Sequence, residues 1–320
     1  MATSYPRTAG IDISKNHLDL ALWPSPHQES RHDYDMKNTK QIAYKLKKLG
    51  TELVVVEATG GYESRIVDAL HQEQVTVHVA RPDRVRHFAK GHGVEAKTDA
   101  IDARVLSQFA AQAQNLTPRT PPSELRRRLN ALRKRREQLQ KERIAEHGRL
   151  EKLRFSDQAW DQEIAEEVEQ SIARKDELLD RYLMQISELI EEDEQLAGRL
   201  KVLEAQRGIG RKTAVTLIAG LPELGRVNRG QIAALVGLAP YARDSGGKSG
   251  RRSIRGGRSD VRSALYMASL TNTRAGSPLH AVYTGLLNRG KPKLVAQVAV
   301  MRRFLIQLNT AMKGHEMTLA

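Results

Sequence analysis

The chain has 320 residues, 40% of them hydrophobic, enough for a substantial buried core and, by length, for two or three domains. Its formal net charge of +14 favours a polyanionic partner, nucleic acid first, because each cation seated on a phosphate releases condensed counterions. The absence of cysteine excludes a disulfide framework, a zinc finger and a thiolate nucleophile, and the absence of an apolar run of about 18 residues or a signal-peptide core leads to the expectation of a cytoplasmic protein with no membrane partner.

The first third predicts a mixed α/β sheet domain over residues 1–118. "TAGIDISKNHLDLALW" reads as two short strands joined by a turn and "SRHDYDM" as a third, followed by helical spacing over "NTKQIAYKLKKLG". The run "TELVVVEATG" reads as a buried central strand. After it come a helix over "YESRIVDALHQEQ", a strand over "VTVHVARP", a helix from Pro82 and another over "TDAIDARVLSQFAAQAQ". The proline-rich "TPRTPPSE" is a natural linker.

From Glu124 to about Ala205 glycine and proline almost vanish, and leucine and isoleucine recur at three- and four-residue steps. A long helical pair is predicted, broken near Phe155 to Asp157, as an antiparallel hairpin or coiled coil filling residues 119–204. Arg126 to Arg154 is strongly basic and Asp157 to Glu194 strongly acidic. Complementary pairing of the two helices explains this, and so does a basic arm that tracks a phosphate backbone.

Residues 205–320 are expected to form a mainly helical third domain. "LEAQRGIGRKTAVTLIAGL" has the look of a helix-hairpin-helix, in which Gly208 and Gly210 shape the turn while Lys212 and the N–H groups of the second helix hold a phosphate; a tight turn between packed helices needs the same glycines. Helices are predicted over Val261 to Thr271 and Leu294 to Thr310. Between lies "GLAPYARDSGGKSGRRSIRGGRS", rich in glycine, serine and arginine. Its "GGKS" is not a P-loop, because Ala242 stands where the leading glycine belongs and no strand precedes it. His87 and His92 lack the spacing of a helical metal pair and read as surface or RNA-contact residues.

Four carboxylates stand out. Asp12 lies within the apolar strand "GIDIS", Glu57 closes "VVVEATG", and Asp99 and Asp102 stand three residues apart on one helix face. A charge among such strands is costly unless paired or bound to metal, and oxygen ligands suit hard cations such as Mg²⁺ or Mn²⁺. Singly, each has an ordinary structural reading: Asp99 as a helix-start carboxylate, Asp102 as the partner of a nearby arginine. Together, in the order strand Asp, strand Glu, helix Asp pair, they have the arrangement of ribonuclease-H-like nucleases, which use two metals at a phosphodiester.

The segments "GIDISKNHLDLAL", "VVVEATGGYE", "KTDAIDARVL", "RGIGRKTA" and "LVGLAP...DSG...RGG...VRSALYMA" together resemble the DEDD insertion-sequence transposases, relatives of the Piv DNA invertase, through nearly the whole chain. The resemblance implies a RuvC-like N-terminal domain, a coiled-coil middle and a C-terminal transposase domain. It implies that Asp12, Glu57, Asp99 and Asp102 are the metal ligands and Ser245 the nucleophile, and that a structured noncoding guide RNA pairs with both target and donor DNA. Ser245 would attack a DNA phosphorus and conserve the diester as a phosphoserine. Arg243, Lys248, Arg251, Arg252, Arg255 and Arg258 would neutralise the phosphate and hold the strands. A homo-oligomer, dimer or tetramer, is expected, since recombination holds several strand ends at once. The competing readings are an invertase or metal-dependent nuclease acting without guide RNA, and a noncatalytic nucleic-acid-binding scaffold.

Overall fold

Strands β1 (Thr8–Ile13), β2 (His17–Trp23) and β3 (Ser30–Asp33) form an antiparallel meander. Its first turn is tight: the Ser14 hydroxyl accepts from the His17 N–H at 2.9 Å, and the Ser14 N–H donates to the His17 carbonyl at 3.0 Å. Helix α1 (Met36–Lys48), its N-terminus capped by the Asp35 carboxylate, then crosses over to β4 (Leu53–Glu57). Helix α2 (Ser64–Gln72) crosses in turn to β5 (Val77–Ala80). The strand order is β3-β2-β1-β4-β5, with β1, β4 and β5 parallel, because parallel neighbours need a crossover between them. Helices α3 (Pro82–Gly91) and α4 (Asp99–Gln112) complete this part. The computed structural model describes residues 7–24, 29–94, 98–241 and 252–319, which separate into two compact units at Pro122/Ser123.

The two-residue strand period sorts the sheet into two faces. Ile11, Ile13, Leu18, Leu20, Val54 and Val56 point to one face and pack with Ile42 and Leu46 of α1 and Ile66 and Leu70 of α2. The alternate residues face α4: Val55 packs with Val105, Leu106 and Phe109, and the Thr8 hydroxyl donates to the Ser107 carbonyl at 3.0 Å. Gly10 lies on that same face. A Cβ there would collide with the Ala103 carbonyl oxygen, the Ser107 amide nitrogen and the Leu106 side chain, so α4 rests on bare β1 backbone.

The second unit is helical. Helices α5 (Glu124–Arg154) and α6 (Ala159–Glu191) run antiparallel, joined by Arg143–Asp176 and Arg154–Glu169 ion pairs. Their far end has its own small core of Leu150, Ala165 and Ile172. Their near end, with Leu129, Ile186 and Ile190, belongs to the same core as the helices that follow, so two of the three segments expected from sequence share one interior. The long leucine run also breaks where spacing alone conceals it. The Asp193 carboxylate accepts from the Leu196 N–H at 2.9 Å and starts α7 (Glu194–Glu204).

Then follow α8 (Arg211–Gly220), α9 (Arg229–Val236), the short pair β6 (Pro240–Tyr241) and β7 (Ser253–Ile254), α10 (Ser259–Leu270), α11 (His280–Asn288) and α12 (Lys293–Leu319). An Asn228/Gln231 capping box opens α9 and Gly237, left-handed at φ 74°, closes it. Sequence periodicity missed α11, a nine-residue helix without a fully buried side chain. It also ended α12 too early.

Gly10→Ala is expected to lower stability by about 1–3 kcal/mol, the usual cost of overpacking. Gly148→Ala, where an added Cβ meets nothing within 4 Å on helix α5, is expected to raise it by about 0.5–1 kcal/mol. Urea unfolding of the two variants checks the contrast.

Candidate active site

Asp12 sits on the α4 face of the sheet by the same alternation that puts Gly10 there. In the parallel pairing of β1 with β4, Ile11 stands opposite Val56, and the next step of that register brings Glu57 opposite Asp12. The turn after Glu57 is tied by Glu63, whose Oε2 accepts from the N–H groups of Thr59 at 3.2 Å and Gly61 at 2.8 Å. Burial pushes the Glu63 carboxyl up, but these donors outweigh it and hold it below its ordinary range.

Asp99 and Asp102 occupy the first turn of α4, whose N-terminus is capped by the Thr98 hydroxyl accepting from the Ile101 N–H at 3.3 Å. Two acids are tolerated there because the unpaired N–H groups of a first turn present partial positive charge. The Gly10 contact seats α4 on β1, so its acidic end and Asp12 belong to one locality. Asp12 registers this: its carboxyl is pushed up to about 6, first by burial, then by the charge of Asp102, with Asp99 and Glu57 adding to it and the Ile13 N–H opposing. Among the described residues, no three acidic or histidine side chains already stand close enough together to form a metal-ligand group. The four carboxylates share a field without forming a closed cage.

Sequence reasoning missed two partners. Asp19, only 6% exposed, is paired across the sheet with Asp12 in the β1–β2 register and with Arg31 in the β2–β3 register. The Arg31 guanidinium donates through Nε and Nη2 to both Asp19 oxygens at 2.9 and 3.0 Å, and through Nη2 to Asp99 Oδ2 at 2.7 Å. The signal was present, since "HLDLAL" sets Asp19 among alternating apolar residues as "GIDIS" sets Asp12.

In the second unit, Ser245, Arg243, Lys248 and Arg251 lie outside the described residues. The flanks of that segment are held together. Tyr241 pairs with Ser253 and Pro240 with Ile254. An added Cβ at Gly237 would strike the Gly256 carbonyl and one at Gly257 the Gly237 nitrogen, so two backbones cross without side chains between them. Arg262 Nη1 donates to the carbonyls of Val236 at 3.0 Å and Gly256 at 2.6 Å.

The predicted phosphate contacts divide. Arg252, Arg255 and Lys212 are exposed, with the Arg255 guanidinium 4.7 Å above the Tyr241 ring. Arg258 is occupied: it donates to both Glu223 oxygens at 2.6 and 2.7 Å and to the Gly220 carbonyl at 2.9 Å, closing the end of α8. Gly208, at φ 85°, is fixed by packing, because a Cβ would strike the Thr271 hydroxyl and the Ala268 carbonyl. Gly210 is the N-cap of α8 and meets nothing within 4 Å. His92 is engaged with the Phe88 carbonyl through Nδ1 at 2.9 Å and with Gln112 at 3.0 Å.

Two family models match the chain. One, a transposase model of the DEDD IS110 type, covers residues 9–153, which include Asp12, Glu57, Asp99 and Asp102; the other, described as Transposase IS116/IS110/IS902 family, covers residues 200–284, which include Ser245. The chain is 27% identical over 305 residues to the pilin gene-inverting protein of Moraxella bovis, spanning 92% of each chain. It is equally similar, over the same share, to the pilin gene-inverting protein of Moraxella lacunata.

Two outcomes are expected. In metal-free buffer, Asp12→Asn stabilises the protein above pH 6 and has no effect below about pH 4. The folded carboxyl titrates near 6 and the unfolded one near 3.8, so wild-type stability falls as pH rises between those values and the loss persists above. For this partly solvated group the gain is about 1–2 kcal/mol after allowance for screening, read from thermal melts across pH. Separately, Arg258→Ala lowers stability by about 1–3 kcal/mol by leaving Glu223 unpaired, whereas Arg252→Ala leaves stability unchanged, Arg255→Ala costs at most about 0.5–1 kcal/mol through its lost contact with the Tyr241 ring, and both weaken DNA binding with a shallower salt slope. Melting curves and salt-titrated binding separate the two classes.

Proposed function

Because this chain belongs to the IS110-type transposases, enzymes of DNA recombination, we propose that it cuts and rejoins DNA through Ser245, with Asp12, Glu57, Asp99 and Asp102 as a Mg²⁺ or Mn²⁺ site in a RuvC-like unit. The observation that carries the acidic half of this reading is the Asp12 carboxyl, raised to about 6 by burial and by the charges of Asp102, Asp99 and Glu57. Carboxylates close enough to raise the proton affinity of Asp12 also favour a divalent cation, and an all-oxygen donor set suits a hard one. A bound Mg²⁺ would stabilise charge developing at the phosphate and favour ionisation of an attacking hydroxyl.

The chain's own part is transesterification. The Ser245 Oγ forms a bond to a DNA phosphorus as the bond from that phosphorus to one strand's oxygen breaks, and the serine proton ends on the freed hydroxyl. A hydroxyl from another strand then reverses these roles, restoring serine. The number of phosphodiesters is conserved, and no nucleotide hydrolysis is required. Arg252, Arg255 and Lys212, exposed and cationic, bind the DNA backbone; Arg243, Lys248 and Arg251 are proposed to do the same. Arg258 holds α8 and α10 together and is assigned to that role.

A structured noncoding RNA is proposed as guide, on the family resemblance. The second reading is inversion of a DNA segment, favoured by the name and 92% coverage of the two pilin gene-inverting relatives.

Incubation of protein, DNA substrate, Mg²⁺ and RNA transcribed from the noncoding DNA beside the gene is expected to yield a protein-linked DNA strand. Ser245→Ala should abolish the link while leaving DNA binding within about twofold, since it removes one hydroxyl and no charge. Asp102→Asn should suppress it, as should chelator. An unchanged yield from Ser245→Ala would refute the nucleophile. Loss of activity on RNase treatment supports the guide, and sequencing the product junctions distinguishes insertion from inversion.

A further inference from the structure

We propose that Arg31 is a positioning residue of the acidic site: anchored by buried Asp19, it holds the Oδ2 edge of Asp99 and so sets the direction in which that carboxylate meets a divalent cation. The inference rests on the metal reading given above and adds to it two residues outside the four carboxylates.

Three observations support it. First, the register runs Asp12, Asp19, Arg31 across β1, β2 and β3, so the three stand in one row on the sheet face that α4 covers. Second, the two ion pairs of Arg31 are unequal. The Asp19 side chain is 9% exposed and receives two hydrogen bonds in a fork, whereas the Asp99 side chain is 55% exposed and receives one. A buried carboxylate held bidentately fixes the guanidinium, and the exposed contact then takes its direction from the fixed group. Third, the contact is accessible. The Asp99 side chain is more than half exposed and, with Asp19, Glu29, Arg31 and Thr98, lines a cavity of about 530 Å³, so its contact with Arg31 is open to solvent.

Glu29, which lines the same cavity, is also held by an arginine, with Arg104 Nε donating to Glu29 Oε1 at 2.6 Å. Asp99 Oδ1 has no hydrogen bond among the described residues, which leaves one oxygen for a cation while Arg31 keeps the other. Carboxylates that ligate metal are commonly oriented by such an outer partner, and its removal typically weakens the metal 10–100-fold. Arg31 also balances Asp19, so the fifth carboxylate on this face adds no net charge to the four.

The test uses Mn²⁺ as the probe, with free ion followed by its electron paramagnetic resonance signal in a titration of the full-length chain. Arg31→Gln alone leaves Asp19 buried and unpaired and is expected to melt lower. The double variant Arg31→Gln with Asp19→Asn replaces the ion pair by a neutral amide pair, and its melting temperature is expected to return towards that of the wild type. Its Mn²⁺ affinity is expected to remain at least tenfold weaker. Arg31→Lys, which keeps the charge and loses the fork, is expected to fall between. A folded double variant that binds Mn²⁺ as tightly as the wild type, or more tightly, overturns the positioning role while leaving the metal reading intact. A folded wild type that binds no Mn²⁺ overturns both.

Discussion

Helix α4 lies on β1 at Gly10, where any side chain would strike the helix backbone, and that approach governs the acidic unit. It brings a helix N-terminus, with two carboxylates in its first turn, to the strand that carries Asp12. The rest follows from periodicity. Once Gly10 faces the helix, Asp12 must face it too, and the parallel register sets Glu57 alongside. One small residue thus governs the electrostatics of a group two positions away.

Much of this was legible in the sequence. The apolar strands, the acids set within them and the three-residue spacing of Asp99 and Asp102 are local patterns, and local patterns survive without a structure. Asp19 and Arg31 were not identified because their roles depend on cross-strand register, and no single segment encodes its own register. The same limit hid the sharing of a core between the α5–α6 base and the later helices. Leu129 and Ile186 look like hairpin residues by spacing, while their neighbours lie further along the chain.

Arginine serves two purposes in the second unit. Arg126 is half-buried, donating to the Ile218 and Ala219 carbonyls at 3.0 and 2.9 Å, and burial pushes its guanidinium down to about 10. Arg199 closes on Glu316 and donates to the Leu224 carbonyl, and Arg133 pairs with Asp260. These side chains fill helix ends and buried gaps that a Lys point charge would satisfy less completely. A count of basic residues therefore overstates the cationic surface available to a partner, and Arg258 is the instance where sequence and structure assign different work to one residue.

The α5–α6 hairpin carries the consequence furthest. Residues 126–154 hold 12 Arg and Lys against 4 Asp and Glu, while residues 157–194 hold 3 against 14. The hairpin is slightly acidic in sum, so the chain's excess positive charge resides elsewhere, and the paired arms form a lateral electric dipole spanning two helix diameters. In the field of a polyanion such a dipole experiences a torque, turning its basic edge inward and its acidic edge away. Near a charged backbone the hairpin would act as a rudder, contributing little net attraction while biasing the orientation of the second unit.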